Sequence, residues 1–273
     1  ALLDGTVPIW VGVLYGLAMT RIDLGAVARR ALGPRRMLRN LGILALLMGA
    51  TPALGWGIAT AAGAPPAHIQ ALVYTMAAPP LGSATAFCLL LGLEAALALE
   101  LTVLGSFLAP FTMPVVSRLL LGDAVPVDSV EMLVRLGLLI GTASLCAVIV
   151  RHVLGAAWIN THARSFDGLS SVILVLFLFP LFNGMPELMA LVPAFAAATF
   201  ALACLANLGV QITSFAITRR MAGREAGGAL SLIWGNRNAA LTLAFLPEAP
   251  LITLYIALYQ FPMYFTPLVM RPV

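Results

Sequence analysis

The sequence predicts an all-α polytopic membrane protein in which two of the membrane-crossing segments are broken in mid-span. Three observations lead there. Only 10% of the 273 residues are charged, well below the quarter or so of an ordinary soluble domain. The apolar stretches run to about 20 residues or more, enough to cross a hydrocarbon core of roughly 30 Å. Finally, two apolar segments, one in each half of the chain, carry residues that a membrane helix avoids: Pro79-Pro80 followed by Leu81-Gly82-Ser83, and Gly235-Asn236-Arg237-Asn238.

Nine spans are expected, roughly 6–20, 37–62, 67–92, 94–121, 130–154, 168–185, 187–218, 226–246 and 249–270. They follow one another without a soluble domain or long linker, so the chain reads as one transmembrane unit. The 15 basic residues are all arginine, and their placement sets an orientation. Arg21, Arg29, Arg30, Arg35, Arg36 and Arg39 fall in the first connection. Arg151 and Arg164 lie between spans five and six, Arg219, Arg220 and Arg224 after span seven, and Arg271 after span nine. With nine spans all of these share one side, the cytoplasmic one by the positive-inside rule. Asp4, Asp123, Asp128, Glu131, Glu187 and Glu248 then share the other, with Arg118 near its edge. The N-terminus is expected outside and the C-terminus inside, in a membrane of the bacterial inner type. Residues 1–20 carry Asp4 and no basic n-region, so they do not read as a signal peptide.

Several function classes fall away. Cys88, Cys146 and Cys204 all sit in apolar segments, an odd count that argues against a disulfide framework. His68, His152 and His162 lie near segment ends without ligand spacing, so no metal site is expected. No nucleophile–base pair and no phosphate loop appears, and no enzyme activity or cofactor is expected. The net charge of +4 is explained by the arginine connections and not by a nucleic-acid partner. The expected partners are the lipid bilayer and a small organic anion, and the oligomeric state is left open.

The two interruptions carry the functional argument. Proline inside a helix removes a backbone donor and breaks the hydrogen-bond ladder. Broken backbone at membrane depth is tolerated only where protein or a water-filled cavity satisfies it. Each interrupted span is followed by a helix of related pattern, ending FLAPFTMPVV at 107–116 and FPMYFTPLVM at 261–270. By the arginine alternation the two interrupted spans run in opposite directions. That is the pattern of an inverted-repeat transporter fold with two broken, crossing helices, whose half-helix N-termini favour an anion near the midplane.

The residues around the breaks resemble the bile acid:sodium symporter family. APPLGSATAFCLLLGLEAALALELTVLGSFLAPFTMPVV is similar to its CPGGTASN…ARGDVALS…STLLAPLLTP region, GNRNAAL to its GMQNSGL, and GLAMTRIDL to its GMGMTLTLEDF. The likeness covers nearly the whole chain in order, in the family's nine-helix form, from its second helix onward. Auxin efflux carriers share the broken-helix layout and are the alternative by fold. The resemblance implies a panel domain of about residues 1–22 and 127–186 and a core domain of about 37–122 and 187–273. It implies import of organic anions, such as bile acids or small carboxylates, commonly with sodium.

The departures from the family pattern are chemical. Where the family's first sodium site has hydroxyl and amide side chains, this chain has Ala84, Thr85, Ala98 and Thr102. Where the second has Glu and Gln, it has Ile233, Arg237 and, two helices earlier, Leu47. Sodium coupling is therefore not expected. Arg237 is expected to replace the bound cation, to pair with a substrate carboxylate, or to pair with Glu100 on the next helix, a buried ionisable pair being a functional hypothesis. Gly82, Ser83, Thr85, Asn236, Asn238 and Gln260 complete the expected substrate site. A non-transporting receptor or scaffold, its crossover locked by Arg237 and Glu100, is the alternative from a different class.

Overall fold

The computed structural model describes residues 6–31, 33–246 and 249–270, so Asp4, Glu248 and Arg271 lie outside the described residues. Those residues are overwhelmingly helical and contain no strand, only one isolated bridge between Pro80 and Arg237. Among the described residues, six helices are long and apolar enough to cross a membrane: Pro34–Ala61, Ala95–Ala124, Ser129–Leu154, Ala163–Phe182, Pro193–Gly235 and Pro250–Val269. The remaining predicted spans are the 14-residue α1 (Val7–Thr20) and the two interrupted segments. The chain is thus a membrane-embedded all-α protein.

After α1 the chain turns by 74° into α2 (Leu24–Ala31). Asp23 fixes this corner by accepting the Ala26 N–H at 2.8 Å, an N-terminal cap that satisfies an otherwise orphan donor. Arg29 and Arg30 occupy the last turn of α2, where positive charge suits the helix dipole. Helix α3 (Pro34–Ala45) starts on a proline, whose missing N–H costs nothing there. It continues through a π turn, Leu46–Ala50, into α4 (Thr51–Ala61). Leu38, Leu46, Leu54 and Ile58 stand more than half exposed along this helix. A stripe of that size marks a surface made for an apolar solvent.

The first interrupted segment is α5 (Pro66–Ala77), the non-helical stretch 78–83, which ends in a turn at Gly82-Ser83, and α6 (Ala84–Leu90). Helix α7 (Ala95–Leu121) follows, then α8 (Ser129–Leu154), capped by Asp128 on Val130 N–H at 2.8 Å. Helices α9 (Ala156–Thr161), α10 (Ala163–Phe182) and α11 (Met185–Leu191) lead to α12 (Pro193–Cys204). A second π turn, Leu205–Gly209, joins α12 to α13 (Val210–Gly235), which is bent at Gly223 by a positive φ of 80°. That angle is open to glycine and strained for other residues. A 3₁₀ turn, Ala239–Ala244, and α14 (Pro250–Val269) complete the chain.

One order of features therefore occurs twice. A helix with a π turn precedes a broken segment, which precedes a helix with two internal prolines: Pro110 and Pro114 in α7, Pro262 and Pro267 in α14. Helix α1 packs on α8 and α10, whereas α5 packs on α4, α7 and α14, and α14 on α12. The two groups meet where α7 touches α8 and where α1 touches the turn at 239–244. Ion pairs gather the arginine-rich connections at one end: Arg21 with Asp167, Arg151 with Asp23 at 3.7 Å, and Arg30 with Glu100 at 2.7 Å.

Candidate functional site at the helix crossover

The two broken segments meet as a short antiparallel bridge. Leu81 N–H donates to the Asn236 carbonyl and Asn238 N–H to the Pro79 carbonyl, both at 2.9 Å. Pro79 and Pro80 have no N–H to offer, so Pro79 contributes its carbonyl and Leu81 the N–H, and backbone that the helices abandon is paired across the crossing. Close approach depends on small residues. A Cβ added at Gly105 would lie 3.0 Å from the Pro80 ring and 3.1 Å from Leu44. One added at Gly235 would lie 2.4 Å from the Asn207 carbonyl and 2.3 Å from the Gln211 side chain.

Arg237 lies inside this crossing, only 2% exposed. Its Nε donates to the Trp234 carbonyl at 2.8 Å, Nη1 to the Ala78 carbonyl at 3.1 Å, and Nη2 to the Leu47 carbonyl at 2.9 Å. Each of these carbonyls belongs to an interruption. Trp234 is at the C-terminal end of α13, Ala78 at that of α5, and Leu47 in the first π turn. Helix ends and π turns leave carbonyls without the usual intrahelical donor. One planar, permanently charged fork with five N–H donors suits three such oxygens at once. The guanidinium is therefore an internal cation solvated by backbone dipoles.

The expected pair between Arg237 and Glu100 is not formed. Glu100, also 2% exposed, meets Arg30 at 2.7 Å, Arg39 at 3.5 Å and Arg36 at 3.8 Å, and accepts Asn40 Nδ2 at 3.1 Å. The reason is depth. Glu100 is in the second turn of α7, about 8 Å along the axis from Ala95 at 1.5 Å per residue, and so beside the arginine connection instead of the crossing. Arg237 in turn faces carbonyls and presents no donor to an open crevice.

A second polar group supports the other side of the crossing. Asn207, in the second π turn, donates Nδ2 to the Gly235 carbonyl and to Asn236 Oδ1, both at 2.9 Å. Gln211 Nε2 donates to Asn207 Oδ1 at 2.8 Å and to Thr266 Oγ1 at 3.1 Å. Thr266 donates to Asn236 Oδ1 at 3.3 Å. Tyr259 donates its hydroxyl to the Gly235 carbonyl and accepts the Arg237 backbone N–H at 3.3 Å. Sequence reasoning passed over Asn207, Gln211, Tyr259 and Thr266. The usable signal was an Asn and a Gln four residues apart inside an apolar span, hence on one helix face.

The other expected site residues divide in two. Asn236 belongs to this network, while Gln260 is buried and donates only to the Ile256 carbonyl of its own helix at 3.2 Å. Gly82, Ser83 and Thr85, at the first break, and Asn238, at the second, are partly exposed. The Ser83 and Thr85 hydroxyls are buried atoms without a protein partner, and so is that of Thr102. These residues do not fit a sodium ion. At the first position Ala84 and Ala98 are buried methyl groups, leaving two threonine hydroxyls. At the second, the carbonyl oxygens that would ligate a cation already accept from Arg237, and its charge repels another cation. Hard cations need several oxygen ligands.

No protein-family model matches the chain, and no curated protein matches it.

Proposed function

We propose that the chain is a secondary transporter of a small or amphipathic organic anion, related to the bile acid:sodium symporter family, that works without sodium. The observation that carries this reading is the fixed guanidinium at the crossing of two broken segments, where the resemblance puts a bound cation. Arg237 keeps the crossing charged and the three carbonyls solvated with no ion entering or leaving. The anion then meets the unpaired hydroxyls of Ser83 and Thr85 and the Asn238 side chain, with Arg237 acting through its field and not by contact. On this reading the repeated order of π turn, break and proline helix is an inverted repeat. Residues of about 1–22 and 127–186 form a panel and those of about 37–122 and 187–273 a core, in an inner membrane with the N-terminus outside. An auxin-efflux-type carrier, which shares the broken-helix layout, is the alternative by fold.

The test is uptake by proteoliposomes of two labelled probes, a conjugated bile acid and a small monocarboxylate, in sodium and in choline medium. Uptake of either at equal rate in both media is the expected result. A saturable sodium requirement overturns sodium independence.

One observation favours a second reading, a receptor or scaffold that does not transport. A single side chain staples three interruptions of the core helices, which would resist the relative motion of those helices that transport needs. Specific binding of a probe without uptake in either medium would select it.

A further inference from the structure

The cluster around Glu100 has more positive charge than it can use internally. Three guanidinium groups, those of Arg30, Arg36 and Arg39, converge within 4 Å of one buried carboxylate, so the group carries two surplus positive charges. Asn40 is fully buried and occupies the remaining side of the carboxylate while accepting from Arg39 Nε at 3.2 Å and Nη2 at 3.0 Å. Glu100 thus holds the arginines in place from beneath. The arginines themselves are between 43% and 48% exposed, so each remains open to a partner from outside. Like charges held this close repel one another unless something outside neutralises them.

Their level in the membrane names what that is. The helix from Pro34 to Ala61 has 28 residues, or about 42 Å at 1.5 Å per residue, against a hydrocarbon core of roughly 30 Å. The excess of about 12 Å, two turns, is taken up by tilt or by extension into the headgroup layers, and the end that carries Arg35, Arg36 and Arg39 is the one whose charges belong there. The lipid-facing stripe begins at Leu38, 75% exposed, immediately beside Arg36 and Arg39. The three guanidinium groups therefore stand at the boundary where the acyl chains end and the phosphates begin. Guanidinium forks match phosphate oxygens in geometry as well as charge.

We propose that Arg30, Arg36 and Arg39, preset by Glu100 and Asn40, form a binding site for the phosphodiester headgroup of an anionic phospholipid, whose acyl chains lie along the Leu38 stripe. The site is separate from the crossover and does not depend on what the protein transports.

Native mass spectrometry of the purified full chain, offered phosphatidylglycerol and phosphatidylcholine of identical chains, tests this. Retention of phosphatidylglycerol at least about tenfold over phosphatidylcholine is expected, because the two share the phosphodiester but the choline cation of the second is repelled by the surplus positive charge of the arginines. The Arg36→Gln/Arg39→Gln variant keeps Arg30 on Glu100 and should lose that preference, whereas Arg219→Gln/Arg220→Gln should keep it. Equal retention of the two lipids by the native chain, which involves no variant, overturns the proposal. So does an undiminished preference in Arg36→Gln/Arg39→Gln. Displacement of the lipid by a tenfold excess of inorganic phosphate would make this a free-anion site and overturn the lipid assignment.

Discussion

Arg237 and Glu100 are the two side chains of formal charge that are buried among the described residues, each 2% exposed, yet the protein satisfies them in opposite ways. Arg237 has no counter-ion and three carbonyl dipoles. Glu100 has three counter-ions and one amide. The difference follows from depth. At the crossing, a second full charge would have to be desolvated as well, at a cost that often exceeds the attraction gained. Carbonyls released by helix breaks are already present there and need a donor in any case. At the start of α7 the arginines are nearly half exposed, and the surrounding solvent shares that cost.

The comparison breaks most readily at Arg237. Arg237→Met removes the donor from three buried carbonyls. At about 1 kcal/mol each, the low end of the usual penalty because polar contacts in bilayer interiors are worth less than the maximum, the expected loss is about 3 kcal/mol. Denaturant unfolding in mixed micelles measures it, and a loss below about 1 kcal/mol would show the carbonyls finding other donors. In Arg237→Ala the same oxygens face an open space. Sodium but not choline should then raise the unfolding temperature of the variant and leave the native chain unchanged, the direct sign that the guanidinium takes a cation's place.

Gly235→Ala comes next. Its methyl group would press on the Asn207 carbonyl in the second π turn, and overpacking of this kind costs about 1–3 kcal/mol. Gly42→Ala, with nothing near the added Cβ, is the control and should be neutral or slightly stabilising. A smaller loss is expected for Glu100→Gln, about 1 kcal/mol, because its arginine partners are nearly half exposed and solvent-screened. That loss should shrink further in high salt.

The sharpest comparison has a small expected number. Arg237 and Glu100 share no partner, so the cycle Arg237→Gln, Glu100→Gln and their double should close within about 0.5 kcal/mol. Recovery of stability in the double mutant would restore the direct pair and overturn the geometry described here. Smaller still is the corner at Asp23. The Ala26 backbone N–H, aided by Arg151, holds its carboxyl below the ordinary carboxylate range. A lowered folded-state value means a contribution present above the unfolded value of about 4, lost as pH falls through the lower folded value. Asp23→Asn should therefore cost slightly near neutrality and nothing in strong acid, as unfolding at the two pH values would report.

Much of this architecture is written locally. Bilayer thickness imposes a length on each apolar run, so composition alone determined the membrane class. Proline lacks a donor and arginine is costly in hydrocarbon, so Pro79-Pro80 and Arg237 marked both interruptions and their importance before any contact was known. The sequence placed Leu47, Ile233 and Arg237 in one group through its resemblance, and the structure joins Leu47 to Arg237 through a carbonyl that no residue letter displays. Tertiary structure alone decided the partners. A backbone oxygen becomes an acceptor only when a π turn or helix end releases it, and the two π turns have no sequence signature in LLMGA or LANLG. Likewise, whether Glu100 meets Arg237 or Arg30 depends on which level of α7 lies beside which neighbour, an axial offset of little more than one turn, from Glu100 to Gly105, that hydropathy does not encode. Sequence fixes which groups need a partner, while the relative depth of the packed helices determines which partner each receives.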